Sequence, residues 1–308
     1  MEDMIQSTHL TKRYGEKTVV DDLSFTVRPG VVTGFLGPNG AGKSTTMRML
    51  VALDRPSGGD ITVHGRRYRD LPDPVRHLGA MLDARSVNPG RTARNHLLAV
   101  ADTHGISRAR VDEVLEMVGL GAVAHRRAGG FSLGMSQRLG IATALLGDPA
   151  ALVLDEPVNG LDPDGVLWLR ELLVRLAAEG RTVFLSSHLM SELSLIASDL
   201  VVIGQGRLLA AGTVDDVIES VAPQTTRVVT PDAPRLAAAV QRSGIEVRRS
   251  GGETLFVNGY TAREVGVIAA RHGVTLHELT TERASLEEAF MHITRNAVEY
   301  TSHQEVAA

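Results

Sequence analysis

Gly37-Pro38-Asn39-Gly40-Ala41-Gly42-Lys43-Ser44 fits the phosphate-binding pattern G-x-x-x-x-G-K-[ST] and sets the architecture of this chain. An apolar run, Val31–Leu36, precedes it, and a helical pattern over Ser44–Leu53 follows it. The glycines let backbone N–H groups converge on phosphates, and the N-terminus of the following helix adds a positive dipole. In such a loop Lys43 reaches the β- and γ-phosphates, and the Ser44 hydroxyl ligates Mg²⁺. The stretch predicts a nucleoside triphosphate site in an α/β fold.

Length and composition limit the remaining possibilities. The chain has 308 residues, which is enough for about two domains at roughly 100–200 residues each. It is 43% hydrophobic and 22% charged and carries a net charge of −4. This charge gives no electrostatic footprint for nucleic acid, so we expect no nucleic-acid partner. The absence of cysteine excludes a disulfide scaffold, a thiol nucleophile and a Cys-based zinc site. Every apolar run is shorter than the ~18 residues of a membrane span, and the N-terminus lacks a signal-peptide pattern, so we expect a cytoplasmic protein.

Strand and helix patterns alternate up to about residue 220, which favours a mostly parallel sheet with helices packed on it. The predicted strands are Ser24–Val27, Val31–Leu36, Ile61–Val63, Leu152–Leu154, Thr182–Ser186 and a hairpin of Leu200–Ile203 with Leu208–Ala211. The predicted helices are Ser44–Leu53, Ala93–His104, Ala109–Val118, Met135–Leu146, Val166–Ala178 and Met190–Ala197.

The pattern changes around residues 222–224, where we place a domain boundary. The following segments are predicted, in order, as strand, helix, strand, strand, helix, strand and a final helix: Arg227–Thr230, Pro234–Ser243, Ile245–Arg249, Thr254–Val257, Ala262–His272, Val274–Leu279 and Leu286–Ile293. The order βαββαβ indicates a small ferredoxin-like α+β domain. Ser285 and Glu288 have the spacing of a capping box that opens the final helix. We therefore expect domains at residues 1–221 and 222–295, followed by a tail at 296–308.

A second motif places two carboxylates at the end of an apolar strand. Asp155 and Glu156 follow Ala151–Leu154 directly. In phosphate-loop enzymes an acid at this position helps to hold Mg²⁺, and an adjacent glutamate can orient and deprotonate the attacking water. His188 ends another apolar strand, where it can reach a ligand of an open α/β sheet, although a histidine there can also be purely structural.

These motifs, in order and spacing, resemble the nucleotide-binding subunits of ABC transporters over about residues 4–220. The feature specific to that family is the signature-like stretch Phe131–Arg138, and Asn159–Asp162 matches the loop after the acidic strand. The chain also ends like the drug-exporter-type subfamily, in Ser285–Phe290. The resemblance implies a P-loop NTPase of ABC type, with a mostly parallel core sheet, an antiparallel β subdomain and a helical subdomain inserted at about 84–148.

The resemblance also implies a role for each matching residue. Glu156 would be the catalytic base, His188 would contact the γ-phosphate, and Ser44 and Asp155 would bind Mg²⁺. The implied nucleotide contacts are Tyr14 stacked on adenine and the phosphate loop from Gly37 through Pro38, Asn39, Gly40, Ala41, Gly42, Lys43 and Ser44 to Thr45. Ser132 and Gly134 would bind the nucleotide held by a second cassette, and Asp162 would lie at the interface between the two cassettes.

The sequence departs from the family pattern at four positions. Leu133 and Met135 stand where the family signature has Gly and usually Gln, and Asn159 replaces a more usual Ser. Asp83, in the loop after Leu78–Leu82, stands where the family commonly has Gln; its carboxylate can still bind Mg²⁺ as a hard oxygen ligand. These changes leave the family resemblance intact.

The function implied by the resemblance is ATP hydrolysis at the composite sites of a cassette dimer, which drives a separate transmembrane permease. We expect an exporter, a homodimer, ATP and Mg²⁺ as cofactors, and a peripheral position on the inner face of the cell membrane. The partner would dock on the segment after Asp83, through Val87–Asn95. A GTPase would need a guanine-reading Asn-Lys-x-Asp, which the chain lacks. The alternative is a soluble ABC-type ATPase that acts on a non-membrane partner.

Overall fold

The computed structural model describes residues 4–83, 87–221, 225–242, 244–282 and 284–302. The chain divides into two compact units: one comprises the residues up to Val214 together with those from Thr294 onward, and the other comprises Asp215–Ile293. The predicted boundary segment 222–224, the first residues of the predicted helical insertion and the end of the predicted tail lie outside the described residues.

The first unit contains two sheets and the helices that surround them. Its strands are β1 (Ile5–Tyr14), β2 (Lys17–Val27), β3 (Val32–Leu36), β4 (Gly58–Val63), β5 (Leu78–Met81), β6 (Ala151–Leu154), β7 (Thr182–Ser186), β8 (Asp199–Gly204) and β9 (Arg207–Thr213). Its helices are α1 (Lys43–Leu50), α2 (Pro74–His77), α3 (Ala93–Thr103), α4 (Arg108–Met117), α5 (Leu133–Leu145), α6 (Pro163–Ala178) and α7 (Met190–Leu193). Helix α8 (Val214–Val221), which the sequence pattern does not predict, begins at the boundary between the units.

The core sheet has the strand order β5-β6-β7-β3-β8-β9. The strands from β5 to β8 pair in parallel, and β9 joins them antiparallel through the predicted hairpin. Every residue of β3, β6 and β7 is buried, as expected for strands covered on both faces. Because these strands are parallel and adjacent, their carboxyl ends meet at one edge of the sheet, where open α/β sheets bind ligands.

The second sheet of this unit is antiparallel, with the order β2-β1-β4. Its central strand β1 is absent from the strand predictions made from the sequence. Register shifts interrupt its pairing with β2 between Ser7 and Arg13, and His9 has a φ of 48°. These irregularities break the alternation of buried and exposed side chains, so the strand carries no period-two signal.

Helices α3, α4 and α5 occupy the segment between β5 and β6. Thr92, Ser107 and Ser132 cap their N-termini, each accepting a backbone N–H with its side-chain oxygen, which stabilises a helix by about 1 kcal/mol. Helices α3 and α4 bury apolar residues such as Leu97 and Leu115. The mostly parallel sheet, the antiparallel sheet and this helical segment confirm the predicted fold class.

The second unit has the predicted βαββαβ order. Its strands are β10 (Thr225–Val229), β11 (Val247–Ser250), β12 (Thr254–Asn258) and β13 (Glu278–Glu282), and its helices are α9 (Ala233–Arg242) and α10 (Ala262–Arg271). The sheet order is β11-β12-β10-β13 with every pair antiparallel, which is the ferredoxin-like arrangement. Its core is formed by residues such as Val228, Leu236, Leu255, Val257 and Val265.

Two segment predictions near the C-terminus are wrong. The last strand is predicted at Val274–Leu279 but lies at Glu278–Glu282, because it is an edge strand with exposed polar residues, whereas Val274 packs in the core outside the strand. The final helix α11 (Leu286–Ser302) opens at the predicted capping box, in which the Glu288 N–H donates to Ser285 Oγ at 3.1 Å. It continues beyond the predicted end at Ile293 into the predicted tail.

Candidate functional site

The phosphate loop, residues 37–42, connects the end of β3 to the start of α1. Gly42 caps α1 with a φ of 103°, in the left-handed region that favours glycine. A Cβ on Gly42 would lie 2.8 Å from the carbonyl oxygen of Val19, and a Cβ on Gly37 would lie 2.6 Å from that of Ile203. Because backbone packs against backbone at both ends of the loop, these two positions admit only glycine.

A cleft of about 240 Å³ opens between this loop and the carboxyl end of β6. Its lining consists of Val19, Asn39, Gly40, Ala41, Gly42, Lys43, Ser44, Thr45, Asp155 and Glu156. Most of the predicted phosphate-binding residues and both predicted carboxylates therefore share one cavity. The other predicted site residues do not belong to this lining.

Lys43 is 9% exposed and lies against the loop that precedes it. Its Nζ donates to the carbonyl oxygens of Gly37 at 2.6 Å and Pro38 at 3.2 Å. Burial lowers the pKa of Lys43, while the nearby charges of Glu156 and Asp155 oppose the shift. A partly desolvated ammonium group held by neutral carbonyls gains from the approach of an anion such as a phosphate.

One buried hydroxyl group orients the carboxylates that follow β6. The Asp155 N–H continues the sheet pairing by donating to the Met81 carbonyl at 2.8 Å. Ser186, in β7, donates its Oγ proton to Asp155 Oδ1 at 2.5 Å, and the same Oγ accepts the Glu156 N–H at 2.8 Å. Ser186 is not among the predicted site residues, although a serine two residues before His188 in an apolar strand is a signal that could have indicated it.

Glu156 and His188 form a pair at the carboxyl ends of β6 and β7. Nδ1 of His188 lies 2.7 Å from Oε2 of Glu156, and the backbone N–H of His188 donates to the same oxygen at 3.3 Å. The imidazole is 56% exposed and the glutamate side chain 26% exposed. When Nδ1–H donates to the carboxylate, the other ring nitrogen, Nε2, is left to face a ligand. The two predicted catalytic residues are thus in direct contact.

The backbone of Glu156 is fixed from a third direction. Its φ of 50° lies in the left-handed region, and Nε2 of Gln137 in α5 donates to its carbonyl oxygen at 2.9 Å. Gln137 lies within the signature-like stretch, and the family resemblance implies no role for it. The signal that could have indicated it is a single amide side chain among the apolar and small residues that form the buried face of α5.

Asp83 lies two residues beyond the end of β5. Strand β5 pairs in parallel with β6, with Met81 opposite Leu154, so Asp83 and Asp155 follow adjacent strands at the same edge of the sheet. The Asp83 side chain is exposed. Its position is compatible with the oxygen ligand expected there.

Tyr14 ends β1, at the rim of the antiparallel sheet. The residue is 48% exposed, and Nζ of Lys12 lies 4.7 Å from the centroid of its ring. Its hydroxyl group donates to Asp54 Oδ2 at 3.0 Å, and Arg48 Nε donates to the same oxygen at 2.8 Å. Burial and then the Asp54 hydrogen bond raise the pKa of Tyr14. The phenol is thus anchored at its tip while half of its surface stays open to solvent.

The signature-like stretch meets the loop after Glu156 within the same chain. Ser132 caps α5 by accepting the Met135 N–H at 3.2 Å. A Cβ on Gly160 would lie 2.2 Å from Cδ2 of Leu133, so the Leu133 side chain lies directly over Gly160.

Two further predicted residues lie in this region. A Cβ on Gly134 would lie 3.2 Å from the Gly160 carbonyl oxygen. Asp162 caps α6 by accepting the Gly165 N–H at 2.9 Å. The structure brings Gly134 close to the loop that leads to Asp162, in a region separate from the phosphate cleft.

Comparison with known proteins gives a consistent result. The family model described as ABC transporter matches residues 20–159, and a model for a domain of unknown function matches residues 224–287. The chain is 44% identical over 212 residues to the bacitracin transport ATP-binding protein BcrA of Bacillus licheniformis. This alignment covers 68% of this chain and 69% of that protein. It is 36% identical over 303 residues to the Nod factor export ATP-binding protein I of Burkholderia pseudomallei (strain K96243). That alignment covers 94% of this chain and 96% of that protein.

A solved structure described as the ATP-binding subunit of an ABC transporter matches the fold. Its TM-score is 0.65 at 30% sequence identity, and the match covers 70% of this chain and 92% of that one.

Proposed function

This chain belongs to the ABC transporter family, and we propose that it is the ATP-hydrolysing subunit of an exporter. The observation that carries the proposal is the single cleft in which Lys43, Asp155 and Glu156 meet the phosphate loop. The direction of transport is supported by a relative that is named for Nod factor export and that aligns with this chain over 96% of its own length.

The phosphate loop and Lys43 would bind the triphosphate, with the backbone N–H groups and the dipole of α1 facing its negative charge. Tyr14 would stack on the adenine. The His188–Glu156 pair, 2.7 Å apart, would act at the γ-phosphate. Water attacks the γ-phosphorus, Glu156 accepts the proton of that water, and the bond to the leaving ADP breaks. His188 would contact both the Glu156 carboxylate, through Nδ1, and a γ-phosphate oxygen, through Nε2; the imidazolium form, which donates from both ring nitrogens, is the form that can do so.

The donor set in the cleft fits Mg²⁺. Ser44 and Asp155 supply hard oxygen atoms, and the hydrogen bond from Ser186 fixes the Asp155 carboxylate. Among the residues that the structure describes, no group of three His, Asp or Glu side chains could hold a metal alone. Mg²⁺ is commonly bound by one or two carboxylates together with substrate phosphates and water molecules. Asp83 would add a further ligand at the same sheet edge, and the ion when bound would neutralise charge on the transferring phosphoryl group.

A second cassette would complete each site. Ser132 and Gly134 begin α5 away from the phosphate cleft of their own chain. We propose that they bind the nucleotide of a second copy, and that Asp162 lies at the interface, where its capping bond to Gly165 holds the loop in place. Two identical copies would thus enclose two ATP molecules.

Transport requires a membrane-spanning partner. No helix in the described parts of this chain is long and apolar enough to cross a membrane. We propose that a separate permease docks on the segment through Val87–Asn95, where Gly90 N–H donates to Asn88 Oδ1 at 2.9 Å and Thr92 caps α3. An apolar cleft of about 280 Å³, whose lining includes Leu78 of β5, Val100 of α3 and Ala144 of α5, would receive its cytoplasmic segment. The chain would then lie on the cytoplasmic face of the membrane.

Purification from the native cell tests this proposal. A tagged chain, extracted with mild detergent, should copurify with a polytopic membrane protein in stoichiometric amount. Purification with soluble partners alone would contradict the transport proposal and favour an ABC-type ATPase of another kind.

A further inference from the structure

Glu156 has a backbone conformation that side-chain-bearing residues seldom adopt. Its φ is 50°, immediately after the buried strand β6. A non-glycine residue persists in this region only when its surroundings hold it there, and such residues concentrate at functional sites. The question is which contacts hold this peptide.

Two side chains hold the peptide groups of Glu156. Ser186 Oγ accepts its N–H at 2.8 Å, and Gln137 Nε2 donates to its carbonyl oxygen at 2.9 Å. Ser186 belongs to β7, in the sheet whose strand β6 ends just before Glu156, whereas Gln137 belongs to α5, outside that sheet. Gln137 is 4% exposed, so its amide has little access to water as an alternative partner. The donor atom therefore has a strong preference for the Glu156 carbonyl.

Helix α5 connects this hydrogen bond to the signature-like stretch. Ser132 caps the helix, Leu133 and Gly134 form its first turn, and Gln137 follows about one turn later. Leu133 lies over Gly160, four residues after Glu156. Helix α5 thus contacts the segment 156–160 at two points, and any displacement of the helix N-terminus moves the Gln137 donor with it.

We propose that Gln137 is a positioning residue for hydrolysis, which sets the Glu156 peptide according to the placement of helix α5. Gln137 does not touch the reacting atoms; it acts through the peptide of Glu156. Loss of its hydrogen bond lets the peptide relax toward an ordinary φ and rotates the carboxylate away from the attacking water. This inference rests on the proposed role of Glu156 as the base.

The test uses the full chain with Gln137→Met, which preserves side-chain length and removes the donor, and Gln137→Asn, which keeps an amide that is too short to reach. We expect kcat to fall about tenfold or more in both variants, since small misplacements of a reacting group are costly. The dissociation constant for MgATP should stay within about twofold, because the phosphate loop and Tyr14 are untouched. A single-turnover measurement should place the loss in the chemical step.

Thr182→Val provides a matched control. Thr182 is fully buried at the start of β7, and its Oγ1 accepts the Gly30 N–H at 3.0 Å, so the variant also loses a buried hydrogen bond. Its unfolding temperature should fall while its kcat remains close to that of the parent. If Gln137→Met does not fold, Gln137→Asn decides the question by the same comparison.

Parental kcat in a folded Gln137 variant would overturn the inference. So would a parallel loss of kcat and nucleotide affinity in both variants, because that pattern indicates general disruption. The proposed function has a separate criterion: if Glu156→Gln hydrolyses ATP at the parental rate, the base assignment fails whatever the Gln137 variants do.

Discussion

Nδ1 of His188 lies 2.7 Å from Oε2 of Glu156, and the backbone N–H of His188 donates to the same oxygen at 3.3 Å. The two residues follow the ends of adjacent parallel strands, so the pairing of β6 with β7 brings them together. This contact uses Oε2 of Glu156 and Nδ1 of His188; in the proposed function the other carboxylate oxygen faces the attacking water and the other ring nitrogen faces the γ-phosphate. In the proposed function, the same side chains connect the general base to the γ-phosphate.

The backbone packing of the phosphate loop predicts a specific cost for Gly42→Ala. The new Cβ would lie 2.8 Å from the Val19 carbonyl oxygen, so the backbone has to move. Gly180→Ala is the control, because Gly180 also has a positive φ, 89°, but its Cβ would meet nothing within 4 Å. We expect Gly180→Ala to cost about 1–2 kcal/mol of unfolding free energy.

Gly42→Ala should cost at least ~1 kcal/mol more than Gly180→Ala, since a backbone clash adds to the strain. Only Gly42→Ala should weaken ATP binding. Denaturant unfolding and nucleotide titration measure the two effects. Equal stability losses in the two variants would mean that the loop does not pack as described.

Tyr14→Ala should raise the KM for ATP about five- to a hundredfold, the range expected from losing one base–aromatic stack. Tyr14→Phe is the matched control, because it keeps the ring and removes only the hydrogen bond to Asp54. Its KM should stay within about twofold of the parent. Equal KM values for the alanine and phenylalanine variants would exclude stacking on adenine.

Acid should selectively remove the contribution of Asp148 to stability. Burial acts to raise the pKa of Asp148, but hydrogen bonding to Arg181 and the charges of Arg181 and Arg110 outweigh it and hold the pKa below its ordinary value. A carboxylate with a lowered pKa stabilises the fold above its unfolded pKa of about 4 and loses that contribution as pH falls through its folded value.

Asp148→Asn should therefore lower the unfolding temperature near pH 7 by about 1–4 °C. The effect is modest because the ion pair between Asp148 and Arg181 is partly exposed to solvent. Asparagine also tolerates the φ of 53° at this position. The difference from the parent should vanish below about pH 3, where the carboxyl group is protonated in both states. Asp102→Asn, on the exposed surface of α3, should show no such dependence. A difference that persists at low pH would mean that packing, not charge, explains the loss.

The phosphate loop and the acidic strand could be predicted because each motif is local. Residues 37–44 carry their own strand–loop–helix context, and Asp155 follows a run of four buried residues. The bulged strand β1 could not be predicted, because its irregular register erases the alternation of apolar and polar residues. The edge strand β13 is polar and largely exposed, so its sequence has no apolar strand pattern. The apolar residues just before it therefore gave the stronger strand signal.

The supports of Glu156 depend on contacts that no local pattern encodes. Ser186 is 30 residues from Glu156 in the chain and Gln137 is 19 residues away, and each meets it only because β7 and α5 pack beside β6. The motif identifies the glutamate, whereas the tertiary structure determines its φ of 50° and the direction of its carboxylate. The residues that hold a motif side chain in place are therefore less visible in a sequence than the motif itself.

The kcat of ATP hydrolysis by Glu156→Gln tests the account most directly. The substitution keeps shape and removes the base, so we expect kcat to fall about a hundredfold or more while MgATP still binds. Glu192→Gln is the control, because Glu192 in α7 lies 4.0 Å from Arg170 and outside the cleft lining. Its kcat should match that of the parent. Hydrolysis by Glu156→Gln at the parental rate would contradict the account.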